Sequence, residues 1–68
     1  MNVQINGRPH TLPSNSTLMH ALAALDIPAD RQGIAIAANA AVVPRSKWPQ
    51  HVLKAGDSIE VVTAAQGG

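Results

Sequence analysis

The sequence predicts an α+β fold, a mixed sheet of four or five strands with one main helix packed across one face. Three observations predict it. Short runs alternate apolar and polar residues at period two, Val3-Gln4-Ile5-Asn6 near the start and Ile59-Glu60-Val61 near the end. Between them a single stretch repeats leucine at spacings of four and three, at Leu18, Leu22 and Leu25. Asn6-Gly7, directly after the first alternating run, is among the strongest short hairpin signals.

Taken in order, the first strand holds Val3 and Ile5, and the turn leads into a short second arm over 8–12. Pro9 and Pro13 remove backbone donors there, which suits an edge strand. Ser14-Asn15-Ser16 supplies N-cap residues for an amphipathic helix over 17–25, with Ala21 on the leucine face and His20 facing solvent. Asp26-Ile27-Pro28 stops it, because the residue before a proline is pushed out of the α region. Residues 34–38, Ile-Ala-Ile-Ala-Ala, are apolar on both sides and carry the pattern of a strand covered on both faces. A turn at Asn39-Ala40-Ala41 leads to a short strand at Val42-Val43, closed by Pro44.

The proline-bounded segment 45–50 reads as a helical turn with Trp48 tucked against the core. Val52 and Leu53 form a brief apolar pair, 54–57 a turn, and 58–63 the last strand. The helix leaves the second strand and returns to the third, so the first and last strands are free to pair in parallel at the centre. The expected core is Val3, Ile5, Leu18, Leu22, Leu25, Ile34 or Ile36, Ile59 and Val61. Domain organisation follows: a folded unit over 1–63 and a flexible tail over 64–68.

Composition narrows the function. A chain of 68 residues builds one core and buries only about 60% of the surface its unfolded form exposes. With no cysteine it has no disulfide framework, thiolate zinc site or thiol nucleophile, and a cytoplasmic location is expected. A net charge of +1 with a single aromatic residue, Trp48, is not the basic, base-stacking surface of a nucleic-acid binder. No apolar run approaches the roughly 18 residues of a membrane span, and the N-terminus lacks the basic region of a signal peptide. His10, His20 and His51 are scattered, so no metal site is expected; Asp26, Asp30, Asp57 and Glu60 have no catalytic or calcium-loop spacing. The isolated glycines form no phosphate loop.

What remains is the C-terminus. Gly67-Gly68 lacks side chains, so it can thread a narrow channel and let a reactant approach the last carbonyl. The α-carboxyl group, ionised at neutral pH, can attack an electrophilic phosphorus. Taken alone, such an end also fits an ordinary frayed terminus. If Ile59, Val61 and Thr63 point toward the helix, then Glu60 and Val62 point to the other face. Ala35 and Ala37 would there leave a flat surface suited to docking a partner.

Residues 36–48, with Val43-Pro44-Arg45-Ser46-Lys47-Trp48 at their end, then Gly56-Asp57 and the terminal Gly67-Gly68, carry a family signature. The combination resembles the ThiS family, the sulfur carrier proteins of thiamine thiazole biosynthesis. From Asp57 to Gly68 the pattern is also similar, without a gap, to the end of ubiquitin. The likeness spans the whole chain, most closely from Ile34 onward, and departs from many relatives at Ala64-Ala65-Gln66, which is smaller and more polar.

The resemblance implies a ubiquitin-like β-grasp fold and a chain that is not an enzyme but a protein cosubstrate. It implies that an E1-like adenylating partner of the ThiF type uses ATP to convert the Gly68 carboxylate into an acyl-adenylate. Sulfur from a cysteine desulfurase relay then displaces AMP, and thiazole synthase of the ThiG type accepts the sulfur of the resulting thiocarboxylate. No cofactor is bound by the carrier itself. Two other readings share the fold and tail: the small subunit of molybdopterin synthase, and a ubiquitin-like modifier or interaction module.

Overall fold

A computed structural model describes residues 1–64 of the chain. The elements are β1 (Asn2–Ile5), β2 (Arg8–Thr11), α1 (Leu18–Ala24), β3 (Ile34–Ala38), β4 (Ala41–Val43), a 3-10 helix (Arg45–Gln50) and β5 (Ser58–Thr63). They form one five-stranded sheet in the order β2-β1-β5-β3-β4. Every neighbouring pair is antiparallel except β1 and β5, which run parallel at the centre with Ile5 beside Ile59. This is the α+β, β-grasp arrangement expected from the sequence, with the last strand of the chain in the middle.

Both tight hairpins need left-handed backbone. The β1–β2 turn places Asn6 and Gly7 at φ 54° and 80°, and the β3–β4 turn places Asn39 and Ala40 at 50° and 70°. Two successive positive φ values make the turn whose twist matches that of the flanking strands. The second turn is one residue tighter than its sequence suggests, since Ala41 already belongs to β4.

The helix begins later than expected. Its N-cap is Thr17, whose side chain accepts from the Met19 N–H, and Ser14, Asn15 and Ser16 lie before it. His20 is exposed, as expected, and completes the cap, its Nδ1 accepting the Thr17 N–H at 2.9 Å. Ser16 is instead buried: its hydroxyl donates to the Pro13 carbonyl at 2.7 Å, while its own carbonyl accepts the Leu53 N–H at 2.8 Å. This last bond and a single bridge between Thr17 and Val52 tie the helix entrance to the segment before β5.

The core between helix and sheet contains Val3, Ile5, Leu18, Leu22, Ile36, Ile59 and Val61 from the expected set. Ala21, Ala38, Trp48 and Leu53 join it, and Leu25 and Ile34 only border it, half-buried. Trp48 is fully enclosed because the indole N–H finds a partner, the Val43 carbonyl at 2.9 Å, so burial leaves no donor unmet. Arg45 stacks over its ring with Cζ 4.4 Å from the centroid, and donates to the Ala29 carbonyl and, at 2.7 Å, to that of Arg31. One side chain thus fastens the 3-10 helix to the connection before β3.

Two expectations need correction. Residues 34–38 are not covered on both faces, since Ala35 is exposed while Ile36 and Ala38 are buried. Alanine reads as apolar whether or not anything covers it, so an Ile-Ala alternation hides an open face. Thr63 is also exposed, past the end of the helix-covered face.

Candidate functional site

The sheet has one face under the helix and one open face, and pleating decides which residues share each. Residues directly opposite in register point to the same side. Val62 lies opposite Ala35, Glu60 opposite Ala37, and Ala37 in turn opposite Val42 on its other flank. The register therefore brings Glu60, Val62, Ala35 and Ala37 together as two adjacent pairs. Val62 is 59% exposed and Val42 77%, the two most exposed large apolar side chains among the described residues. Val42 is an addition that the sequence pattern does not single out, although Val42-Val43 obeys period two: Val43 is half-buried and Val42 faces out.

Across β5 the open face changes character. On the far side Gln4 lies between Ser58 and Pro9, and Asn2 opposes Thr11, with Thr11 Oγ1 donating to Asn2 Oδ1 at 2.9 Å. One half of the face is therefore apolar and small (Ala35, Ala37, Val42, Val62), and the other polar, with Glu60 on the boundary. An open sheet face with exposed apolar side chains suits a protein surface. Among the described residues there is no pocket, no group of 3 or more side chains placed to hold a metal ion, and no helix long and apolar enough to cross a membrane.

β5 is gripped at its first and fourth residues by asparagines from the two hairpins. At its entrance the Asn39 Oδ1 accepts the Ser58 N–H at 2.9 Å, and Asn39 Nδ2 donates to Asp57 Oδ1 at 3.1 Å. Asp57 also accepts the Lys54 N–H at 2.8 Å, closing the turn in which Gly56 takes φ 86°. Partial burial works to raise the Asp57 pKa, but the Lys54 N–H, the Asn39 amide and the positive potential of His51 and Lys54 outweigh it and lower it from 3.8. Farther along, Asn6 bonds both backbone groups of Val61, accepting its N–H at 2.8 Å and donating to its carbonyl at 3.2 Å. Beyond Thr63, Ala64, expected in the tail, donates its N–H to the Gly33 carbonyl at 2.7 Å. Gly67 and Gly68, the expected reactive end, lie outside the described residues.

The chain from residue 3 to residue 68 matches the model of the ThiS family. The chain belongs to the ThiS family. The curated sulfur carrier protein ThiS of Escherichia coli K12 is 33% identical over 69 residues, the match covering 100% of both chains. The crystal structure of the thiamine biosynthesis protein ThiS from Geobacter metallireducens superposes with a TM-score of 0.79 at 27% identity, again with 100% of both chains covered. A solution structure of a thiamine biosynthesis protein from the same organism gives a TM-score of 0.78 at 26% identity, covering 100% of this chain and 88% of that one. The ThiS match includes the Gly-Gly end, and the five-stranded grasp around one helix agrees with the solved ThiS structure.

Proposed function

We propose that the chain is a sulfur carrier for thiamine biosynthesis whose working atoms are those of the Gly68 carboxyl group. Full-length membership of the ThiS family, with Gly67 and Gly68 inside the match, carries this reading. The chain is a cosubstrate acted on by enzymes rather than a catalyst. A Gly68 carboxylate oxygen attacks the α-phosphorus of ATP in a ThiF-type adenylating enzyme, and pyrophosphate leaves. The terminal sulfur of a persulfide, supplied by a cysteine desulfurase relay, attacks the acyl carbon and expels AMP. This step forms an acyl C–S bond; a second thiol then attacks the donor cysteine's sulfur and breaks the persulfide's own S–S bond, the donor cysteine departs in a disulfide, and Gly68 is left as a thiocarboxylate. A thioacid is far more acidic than a thiol, so this sulfur is anionic and nucleophilic at neutral pH without a helper base. That is how a chain without cysteine carries sulfur to a ThiG-type thiazole synthase.

Docking is assigned to the apolar half of the open face, Val62, Ala35, Ala37 and Val42, with Glu60 at its border. Both enzymes must read the same small carrier, and none of these residues belongs to the Gly67-Gly68 end. The absence of side chains at Gly67 and Gly68 serves a different need. ATP and later the persulfide must reach one carbonyl carbon in near-attack geometry, and a Cβ there misplaces it.

The test is ATP–pyrophosphate exchange with the activating enzyme, followed by intact mass after a sulfur donor is added. Deleting Gly68, or adding one residue after it, is expected to abolish exchange while binding persists. Val62→Asp is expected to weaken binding to both enzymes about tenfold or more, roughly 1.4 kcal/mol, without unfolding the protein. Normal exchange with a blocked terminus, or sulfur on any other atom, overturns the reading.

A further inference from the structure

The Asn6 amide does something that the hairpin turn does not require. β1 and β5 pair in parallel only at Gln4 with Ser58 and Ile5 with Ile59, and the last backbone bond of this ladder runs from the Asn6 N–H to the Ile59 carbonyl at 2.8 Å. A parallel ladder continues by offering the next carbonyl and N–H to alternate residues of the partner strand, here Val61. But Asn6 has entered the left-handed turn, φ 54°, and β1 has ended. Its side-chain amide takes over, with Oδ1 meeting the Val61 N–H and Nδ2 meeting the Val61 carbonyl. One carboxamide replaces the missing peptide groups and carries the β1 side of the ladder one step nearer the C-terminus.

On the other flank the pairing with β3 runs on through Thr63 opposite Ile34 to the Ala64 N–H on the Gly33 carbonyl. Without Asn6, β5 would be held beyond Ile59 from one side only. A strand paired on a single edge is freer to twist and bend, so the direction of β5 past Val61 would be set by β3 alone.

Resting on the carrier reading above, we propose that Asn6 is a positioning residue for the chemistry at Gly68: its clamp on Val61 sets the direction in which β5 delivers the C-terminal residues to a partner's active site. It touches no reactant and acts through the strand.

The turn and the clamp separate experimentally. Glycine adopts positive φ at least as readily as asparagine, so Asn6→Gly keeps the turn and deletes only the clamp. Asn39→Gly is the matched control, removing the other asparagine that grips β5, at Ser58 rather than at Val61. With full-length protein and the activating enzyme, Asn6→Gly is expected to lower kcat of ATP–pyrophosphate exchange about tenfold at a KM within twofold of wild type, since Glu60 and Val62 keep their β3 partners Ala37 and Ala35. Hydrogen exchange at the Val61 amide is expected to speed up in parallel, while Asn39→Gly leaves kcat within twofold. All measurements are made where circular dichroism shows each variant folded. Unchanged kcat in Asn6→Gly, a loss confined to KM, a protected Val61 amide, or an equal loss of kcat in Asn39→Gly overturns the proposal. No exchange with the wild-type protein overturns the carrier reading itself, and this proposal with it.

Discussion

The two hairpins of the sheet make the same turn from different residues. In β1–β2 the turn is Asn6-Gly7 at φ 54° and 80°; in β3–β4 it is Asn39-Ala40 at φ 50° and 70°. For an L-residue with a Cβ, the left-handed region costs roughly 1 to 2 kcal/mol, and glycine avoids the cost. The first turn is therefore encoded where it stands. The second carries a residue that resists it and is held from outside, by the Asn39 backbone N–H on the Ser58 carbonyl at 2.8 Å and the Asn39 side chain on Ser58 and Asp57. In each hairpin an asparagine bonds the central strand or its lead-in. A β-turn can thus be specified by local conformational preference or imposed by the neighbour it packs beside, and this chain uses both.

The largest effect on that contrast is expected from Asn39→Ala. It deletes two side-chain hydrogen bonds to the start of β5 and puts two alanines in succession at positive φ. We expect a loss of roughly 2 kcal/mol in urea unfolding, of which Asn39→Gly recovers only the backbone strain, since it too lacks the two hydrogen bonds. A loss below about 0.5 kcal/mol would mean that the turn does not depend on its neighbour.

Exchanging the second residue of each turn is more discriminating because the signs differ. An added Cβ at Gly7 meets nothing within 4 Å, so Gly7→Ala is opposed by backbone strain alone and should destabilise by about 1 kcal/mol. Ala40→Gly should stabilise by about 0.5 kcal/mol, the relief of strain exceeding the extra freedom glycine gives the unfolded chain. Thermal midpoints moving in the same direction for both variants would refute the account.

The smallest effect is one of pH. Asp57, the acceptor of the Asn39 amide, has its folded pKa lowered from 3.8, so the unfolded chain binds this proton more readily. Its contribution is complete above about pH 4, and is lost as pH falls through the lower folded value. In urea titrations, Asp57→Asn should flatten the decline of stability below about pH 4 and leave the slope near neutrality unchanged. An unaltered acid limb would show that this carboxylate does not couple to folding.

Part of the open face is legible in the sequence, and part is not. Period two in Ile59-Glu60-Val61-Val62 places Glu60 and Val62 on the side away from the helix, and the β5 pattern agrees, with Ile59 and Val61 buried. Ala35 and Ala37 fall on the correct side by their spacing, but their exposure is not readable because alanine carries so weak a burial preference. Val42 is hidden because an adjacent valine pair reads as one apolar unit, and only its register opposite Ala37 shows which valine faces out.

Element order, the edge character of the Pro9 arm, the helix face of Leu18 and Leu22, the burial of Trp48 and the family signature can all be read from the order of residues. Each rests on interactions between residues close in the chain or on the period of one element, and short-range chemistry is written in short-range order. Folding in three dimensions was needed to bring Arg45 onto Trp48 while it holds the carbonyls of Ala29 and Arg31, to carry Leu53 into the core, and to set Asn39 on Ser58 and Asn6 on Val61 of β5. Asn6 and Val61 are 55 positions apart, and no local preference of either residue encodes their meeting. It follows from the parallel pairing of the first strand with the last, which places a turn amide beside a strand that has just lost its neighbour.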